Sequence, residues 1–236
     1  MKKGVLLASG GIDSMVLAYQ LKKQKALDSI VFIEYGQASS EEQWRCVQHH
    51  AGVLKVQAQH VRAFLPEFMQ GSGAILSGKQ KKKQKDPYEV MKLRGKKYDA
   101  WLRDVWDYIP GRNTFFLLYA CGWARHRKLD RVYTGFQFDE PEWRAMHRAM
   151  SYEGDLDTYP GFLWAFNDLL EAGAFTGKME VIAPFLDAQK DKSAIVALGR
   201  KLGVDLSQTY SCEFWPACGS CRGCLVKRKV LDIGTK

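Results

Sequence analysis

The six residues Ser9-Gly10-Gly11-Ile12-Asp13-Ser14 are of types that together handle phosphate. Gly10 and Gly11 let the backbone come close to a ligand, and successive backbone N–H groups in such a turn point into one anion cradle. If a helix follows, its N-terminus adds partial positive charge to the same place. Ser9 and Ser14 supply hydroxyls, and Asp13 can contact a Mg²⁺ ion that bridges phosphates. The pattern is neither the Gly-x-x-x-x-Gly-Lys-Ser/Thr of a P-loop nor the Gly-x-Gly-x-x-Gly of dinucleotide binders. The plain alternative is an ordinary turn with a serine cap.

A second cluster lies near the other end. Cys212, Cys218, Cys221 and Cys224 follow a C-x5-C-x2-C-x2-C spacing. Thiolates at these intervals can enclose one tetrahedral Zn²⁺ and leave no position open, which marks a structural rather than a catalytic ion. A Cys-x-x-Cys redox pair and an iron–sulfur cluster compete for the same spacing. Cys46 and Cys121 stand alone in helical segments and are expected to be core thiols, and none of the five histidines has ligand spacing to the cysteines. Two more segments carry polar groups worth placing. Tyr35-Gly36-Gln37 follows an apolar run, with Glu42 five residues after Gln37. In Pro110-Gly111-Arg112-Asn113, Arg112 can clamp anionic oxygens bidentately, and Asn113 either caps the following helix or faces a ligand.

The elements that must hold these residues follow from the apolar pattern. Gly4 to Ala8 is a short buried strand leading into the glycine-rich loop, and Met15 to about Lys25 a helix. Ser29 to Tyr35 is a second strand, Glu41 to Leu54 a helix, and Val56 to Phe64 a third strand. Asn113 to Arg127 reads as a helix, Arg131 to Gly135 as a strand, Phe162 to Ala172 as a helix, Met179 to Phe185 as a strand, and Lys192 to Leu202 as a helix stopped by Gly203. Phe136 to Pro160 has no clear period. Strands alternating with helices predict an α/β fold with a doubly wound parallel sheet. In such a sheet Tyr35 and Gln37 sit at the carboxyl end of a strand, where ligands bind.

The chain has 236 residues, 46% of them hydrophobic, enough for one compact domain over 1–205 and a small cysteine-bearing appendage over 206–236. No apolar run is long enough to span a membrane, and the apolar stretch after Met1 is too short for a signal peptide, so a cytoplasmic location is expected. The net charge of +9 suits anionic substrates such as ATP as well as nucleic acid. Much of it gathers between Lys79 and Lys97, inside an insertion over about 67–103 that interrupts the pattern. This insertion is either a solvated loop or a dock for a macromolecule.

Ser-Gly-Gly-x-Asp-Ser directly after the first strand resembles the PP-loop of the ATP pyrophosphatase superfamily, whose members cleave ATP between its α and β phosphates, form an adenylate and release pyrophosphate. With Tyr35-Gly36-Gln37, Pro110-Gly111-Arg112-Asn113-Thr114-Phe115-Phe116, Thr209-Tyr210-Ser211-Cys212 and Cys218-Gly219-Ser220-Cys221-Arg222-Gly223-Cys224, in that order, the chain is similar to the 7-cyano-7-deazaguanine synthase (QueC) family. The resemblance implies the doubly wound PP-loop (adenine nucleotide alpha hydrolase-like) sheet with a C-terminal zinc segment. It implies ATP, Mg²⁺ and Zn²⁺ as cofactors, 7-carboxy-7-deazaguanine and ammonia as substrates, and a homodimer. Residue by residue, Ser9, Gly10, Gly11, Ile12, Asp13, Ser14, Arg112 and Asn113 would hold the nucleotide, with Asp13 on Mg²⁺. Asp13, Ser14 and a lysine at the start of the late helix would act in catalysis. That lysine is Lys192 by its distance to Ile195 and Lys190 by its distance from Pro184. Tyr35, Gln37, Glu42 and Asp139 or Glu140 would meet the deazaguanine, and Cys212, Cys218, Cys221 and Cys224 the zinc.

The chain departs from the family after its fourth strand. Phe136-Gln137-Phe138-Asp139-Glu140 follows Gly135, and Tyr159-Pro160-Gly161-Phe162-Leu163 stands where the family has Tyr-Pro-Asp-Cys-Arg. Adenylation is untouched by this; the acceptor of the activated group is not. A paralogue that passes a deazaguanine carboxylate to a protein or nucleic acid, as in antiviral defence, is the rival expectation. A PP-loop tRNA-modifying enzyme and a zinc-stabilised nucleic-acid-binding module without catalysis are the remaining ones.

Overall fold

In the computed structural model the described residues are 1–63, 109, 111–137, 160–212, 214–219 and 221–231. Five strands, β1 (Gly4–Leu7), β2 (Leu27–Glu34), β3 (Gln57–Arg62), β4 (Arg131–Thr134) and β5 (Glu180–Ile182), form one sheet in the order β3-β2-β1-β4-β5. Every pairing is parallel. The alternation of side chains along a strand sends successive residues to opposite faces, and here both faces are buried. Leu6, Ile30, Phe32 and Tyr133 enter one core cluster, while Val5, Val31, Val132 and Val181 enter the other. That is why β1 and the middle of β2 read as continuous apolar runs rather than alternating ones, whereas the edge strand β3 is polar and more exposed.

The helices divide between these faces. α1 (Ile12–Lys23), α2 (Ser40–Leu54) and α6 (Lys192–Leu202) cover the first cluster. α3 (Arg112–His126) and α4 (Pro160–Leu169) cover the second. α1 and α6 pack tightly where Gly199 meets Val16: a Cβ on Gly199 would lie 2.7 Å from Val16 Cγ2. The chain winds from β1 outward to β3, then returns to the far side of β1 at β4. The gap between β1 and β4 is thus the switch point at which open α/β sheets bind ligands.

Most expected elements are present with shifted ends. α1 begins at Ile12, three residues before the expected start, so Ile12, Asp13 and Ser14 are its first turn. β5 stops at Ile182 instead of running to Phe185, because Pro184 opens a short helix, α5 (Pro184–Asp187). Proline lacks the N–H a strand ladder needs but fits a first helical turn. α4 continues into a π turn over Leu170–Ala174 that breaks at Gly173. α6 has the expected bounds: Asp191 caps it through Ala194 N at 2.8 Å, and Gly203 ends it. The expected insertion over 67–103 and most of the Phe136–Pro160 stretch lie outside the described residues.

After a 3-10 turn at Leu206–Gln208, the cysteine segment leads into α7 (Arg222–Leu231). Val230 and Leu231 of α7 pack against the first core cluster. Cys46 and Cys121 are buried core thiols as expected, and burial pushes the Cys121 thiol up to about 12. Among the described residues no helix is long and apolar enough to cross a membrane.

Candidate active site

A cleft of about 360 Å³ opens at the carboxyl ends of β1, β2 and β4, at the switch point. Its floor is Leu7 and Ala8 from β1 and the residues just after it, Phe32 and Ile33 from β2, and Thr134 from β4. The glycine-rich loop forms one side. Gly10 has φ +75, and a Cβ there would lie 2.4 Å from the carbonyl oxygen of Gln43 in α2. Only glycine satisfies both conditions. Gly11 is the N-cap of α1 and has no side-chain cap. The plain turn with a serine cap is therefore not what forms. The first-turn N–H groups of α1 are left to a ligand or solvent, as helix N-termini require. The two serine hydroxyls bond within the loop: Ser14 Oγ donates to Gly11 O at 3.1 Å, and Ser9 Oγ accepts from Gly11 N at 3.4 Å.

Asp13 lies on the cleft side of this first turn, and Lys192, the first residue of α6, reaches it. Lys192 Nζ donates to Asp13 Oδ2. Asp13 Oδ1 is buried and has no hydrogen-bond partner among the described residues. A buried carboxylate oxygen without a partner is costly, and a hard divalent cation is the natural group to satisfy it. The residues present thus fit Mg²⁺. Lys190 does not border the cleft, so the geometry separates the two lysines that counting along the chain left tied.

The opposite side is aromatic and cationic. Tyr35 packs on Phe116 at 4.9 Å between ring centroids, and Arg112 lies over the Tyr35 ring at 5.9 Å. Arg112 and Asn113 are the first two residues of α3 and both border the cleft. Asn113 does not cap its helix; Gly111, with φ +71, holds that position. Gln37 is buried and spends its side chain on the protein: Oε1 accepts from Tyr35 N at 2.8 Å, and Nε2 donates to Ile33 O at 3.3 Å and Gln43 Oε1 at 3.1 Å. Glu42 does not border the cleft; its carboxylate pairs with Arg45 on α2 at 2.6 Å. Asp139 and Glu140 lie outside the described residues.

Sequence reasoning missed several cleft residues. Gln43, Thr134, Phe136 and Phe116 border it, as do Tyr210, Ser211 and Gly223 from the cysteine segment. The last three belong to segments already singled out for other reasons. What places them is a long-range bond, Tyr210 N to Gly10 O at 2.9 Å, which lays the cysteine segment along the glycine-rich loop. His50 supports the same approach. It is fully buried, with Nε2 3.0 Å from Gln208 O and Nδ1 3.1 Å from the Tyr19 hydroxyl.

The sulfur atoms of Cys212, Cys218, Cys221 and Cys224 all lie within 4.8 Å of one another. Cys212 Sγ is 3.6 Å from that of Cys218 and 3.8 Å from that of Cys221. A tetrahedron with Zn–S bonds of about 2.3 Å has an edge of about 3.8 Å, so the four thiols fit zinc. Backbone N–H groups of Phe214 and Cys218 donate to Cys212 Sγ at 3.4 and 3.2 Å, and those of Cys221 and Cys224 to the sulfur three residues before each. Hydrogen bonds from the Cys221 and Cys224 thiols, joined by the Cys218 and Phe214 amides, hold the Cys212 thiol well below its ordinary range. A metal-binding thiolate needs this support.

The family described as queuosine biosynthesis protein QueC matches residues 3–233. The chain is 29% identical over 234 residues to the 7-cyano-7-deazaguanine synthase of Trichormus variabilis, covering 95% of this chain and 91% of that protein. It is 30% identical over 238 residues to the 7-cyano-7-deazaguanine synthase of Solidesulfovibrio magneticus, covering 97% and 90%. Among solved structures, NMN synthetase from Francisella tularensis aligns with a TM-score of 0.47 and 10% identity over 100% of this chain and 79% of its own. With the family matched from Lys3 to Ile233, this chain belongs to the QueC family, a family of ATP-using PP-loop enzymes.

Proposed function

We propose that the chain converts 7-carboxy-7-deazaguanine, ammonia and ATP to 7-cyano-7-deazaguanine, releasing AMP and pyrophosphate. The observation that carries this reading is the Asp13–Lys192 pair, with its open carboxylate oxygen, set against the uncapped first turn of α1 at the switch point of a parallel sheet. The family's relatives named as synthases of this nitrile supply the substrate.

The loop from Ser9 to Ser14 binds the β and γ phosphates through its backbone N–H groups. The substrate carboxylate attacks the α phosphorus, and the bond to the bridging oxygen breaks as pyrophosphate leaves. Lys192 offsets charge that builds on the phosphorus oxygens, and preorganised donors of this sort dominate such steps. Asp13 would hold a Mg²⁺ ion through its open oxygen, and that ion would supply charge neutralisation to the phosphates. Arg112 and Asn113 hold the nucleotide from the far side, and the Tyr35–Phe116 wall offers a flat apolar surface to a heterocycle. Ammonia then displaces AMP to give the amide. The amide oxygen then attacks the α phosphorus of a second ATP, a second pyrophosphate and one amide proton leave, and loss of AMP with the remaining N–H proton gives the nitrile. No covalent nucleophile is required of the protein; its work is positioning. Cys212, Cys218, Cys221 and Cys224 would hold a structural zinc ion behind the Tyr210–Ser211 wall.

The test is incubation with ATP, Mg²⁺ and 7-carboxy-7-deazaguanine, with and without ammonium, followed by mass spectrometry. AMP, pyrophosphate and nitrile are expected, with nitrile dependent on ammonium. ADP as the only nucleotide product would refute cleavage between the α and β phosphates. AMP without nitrile, together with a mass increment on a protein or nucleic acid, would replace ammonia with a macromolecular acceptor.

A further inference from the structure

Gln43 lies in the first turn of α2, borders the cleft and packs its carbonyl against Gly10. Its neighbours fix which end of its side-chain amide is the donor. A carboxamide's oxygen and nitrogen are distinguished only by their partners. Tyr35 N–H is an obligate donor, so the Gln37 atom 2.8 Å from it is the oxygen. Gln37's other terminal atom is then the amine, and it sits 3.3 Å from the Ile33 carbonyl, an obligate acceptor. Both ends of Gln37 agree. That amine is 3.1 Å from Gln43, so the Gln43 atom it meets is the oxygen. Two backbone groups therefore fix both glutamines in series, and the remaining terminal group of Gln43 is its NH₂. Among the described residues the bond to Gln37 is the one hydrogen bond this carboxamide makes, and it uses the oxygen. Glu42, one residue earlier, is turned away and held by Arg45. At the cleft border α2 thus offers a residue with a neutral double donor, where the neighbouring residue would have brought a negative charge.

We infer that Gln43 donates from its carboxamide to an anionic oxygen of the ligand in this cleft, either a nucleotide phosphate or the carboxylate to be activated. The assignment rests on the ATP-using reading of the site. A cation is excluded as its partner because an amide NH₂ offers no lone pair. The Gln37–Gln43 relay makes the donor rigid, and a donor already oriented loses little freedom on binding.

Two substitutions test this. Gln43→Glu keeps the size and the oxygen that accepts from Gln37 but replaces the donor with a second oxygen. Gln43→Met removes donor and acceptor without adding charge. ATP with Mg²⁺ alone is used as the first probe, by equilibrium binding, and the Michaelis constant for the carboxylate as the second. Both variants should weaken one of these by about tenfold or more, as loss of a hydrogen bond to a charged group does, with kcat changed less and melting temperature close to the parent for Gln43→Glu. Weaker ATP binding without carboxylate identifies a phosphate oxygen; intact ATP binding with a raised carboxylate constant identifies the carboxylate. Two variants that match the parent in both measurements would overturn the assignment, as would an effect confined to Gln43→Glu, which would report added charge alone. A parent protein that binds no ATP would instead remove the nucleotide reading of the cleft, and this assignment with it.

Discussion

Replacing Gly10 with alanine perturbs the loop in two separable ways. The residue has φ +75, which costs an L side chain about 1–2 kcal/mol. The new Cβ would also lie 2.4 Å from Gln43 O, against the 3.0 Å below which real Cβ contacts essentially never fall, so loop and α2 must separate by at least the difference, 3.0 − 2.4 = 0.6 Å. Forced overpacking of this kind costs about 1–3 kcal/mol more. The expected loss is thus about 2–5 kcal/mol. Gly203 provides the control: its φ is +71, nothing lies within 4 Å of its added Cβ, and it ends α6 away from the cleft. Gly203→Ala should lose only the conformational part, about 2–8 °C in melting temperature for a domain of this size. The two variants diverge most in function. A shift approaching 1 Å at reacting groups costs on the order of 100-fold, so Gly10→Ala should lower kcat/KM for ATP about 100-fold. Gly203→Ala should stay within about twofold, since it strains the backbone without moving the reacting groups. Pyrophosphate release, measured at a temperature where both are folded, reads the difference. Gly10→Ala with release within twofold of the parent would refute the claim that contact with α2 sets the loop.

Asp13→Asn removes the negative charge from the open oxygen and from the Lys192 pair, and Mg²⁺-dependent pyrophosphate release should fall by about 100-fold or more; activity retained at saturating Mg²⁺ would contradict the role given to Asp13. The purified protein should carry about one zinc per chain by elemental analysis, as a closed four-thiolate site implies. Stripping it with a chelator should weaken ATP binding about tenfold, because Tyr210 and Ser211 wall the cleft; unchanged binding by metal-free protein would disprove that link. Burial, helped by the charge of His49, lowers the His50 pKa against opposing contributions from its bond to Gln208 O and from Asp205. The folded value lies below the unfolded one, so the unfolded chain takes the proton first as pH falls. Stability should be full above the unfolded value of about 6.5 and decline below it, down to the folded value. His50→Gln should flatten that decline in denaturant titrations between pH 5 and 8, and an unaltered slope would exclude His50 as its source.

The central strands were legible because burial on both faces of a parallel sheet leaves unbroken apolar runs, as in Gly4–Leu7 and residues 30–33 of β2. The start of α1 was not, since glycine-rich turns and uncapped first turns look alike until the backbone is seen; Ile12, Asp13 and Ser14 proved helical. Counting residues could not choose between Lys190 and Lys192, because the choice depends on where α6 begins relative to α1, and Gly199 against Val16 sets that. Glu42 drew attention as a carboxylate at fixed distance from Gln37. One step along a helix turns a side chain by about 100°, and that step brings Gln43 to the cleft instead. Tyr210, Ser211 and Gly223 border the nucleotide loop through bonds between residues far apart in the chain, which no local pattern encodes.

The bond from Tyr210 to Gly10 also has a consequence for synthesis. Translation delivers the glycine-rich loop well before its facing wall, and domains assemble as their parts emerge. Until Tyr210 and Ser211 leave the ribosome, the nascent chain holds a phosphate cradle open on one side. A message broken between the end of β5 and that codon therefore yields a polypeptide that carries all five strands and still lacks a finished nucleotide cleft.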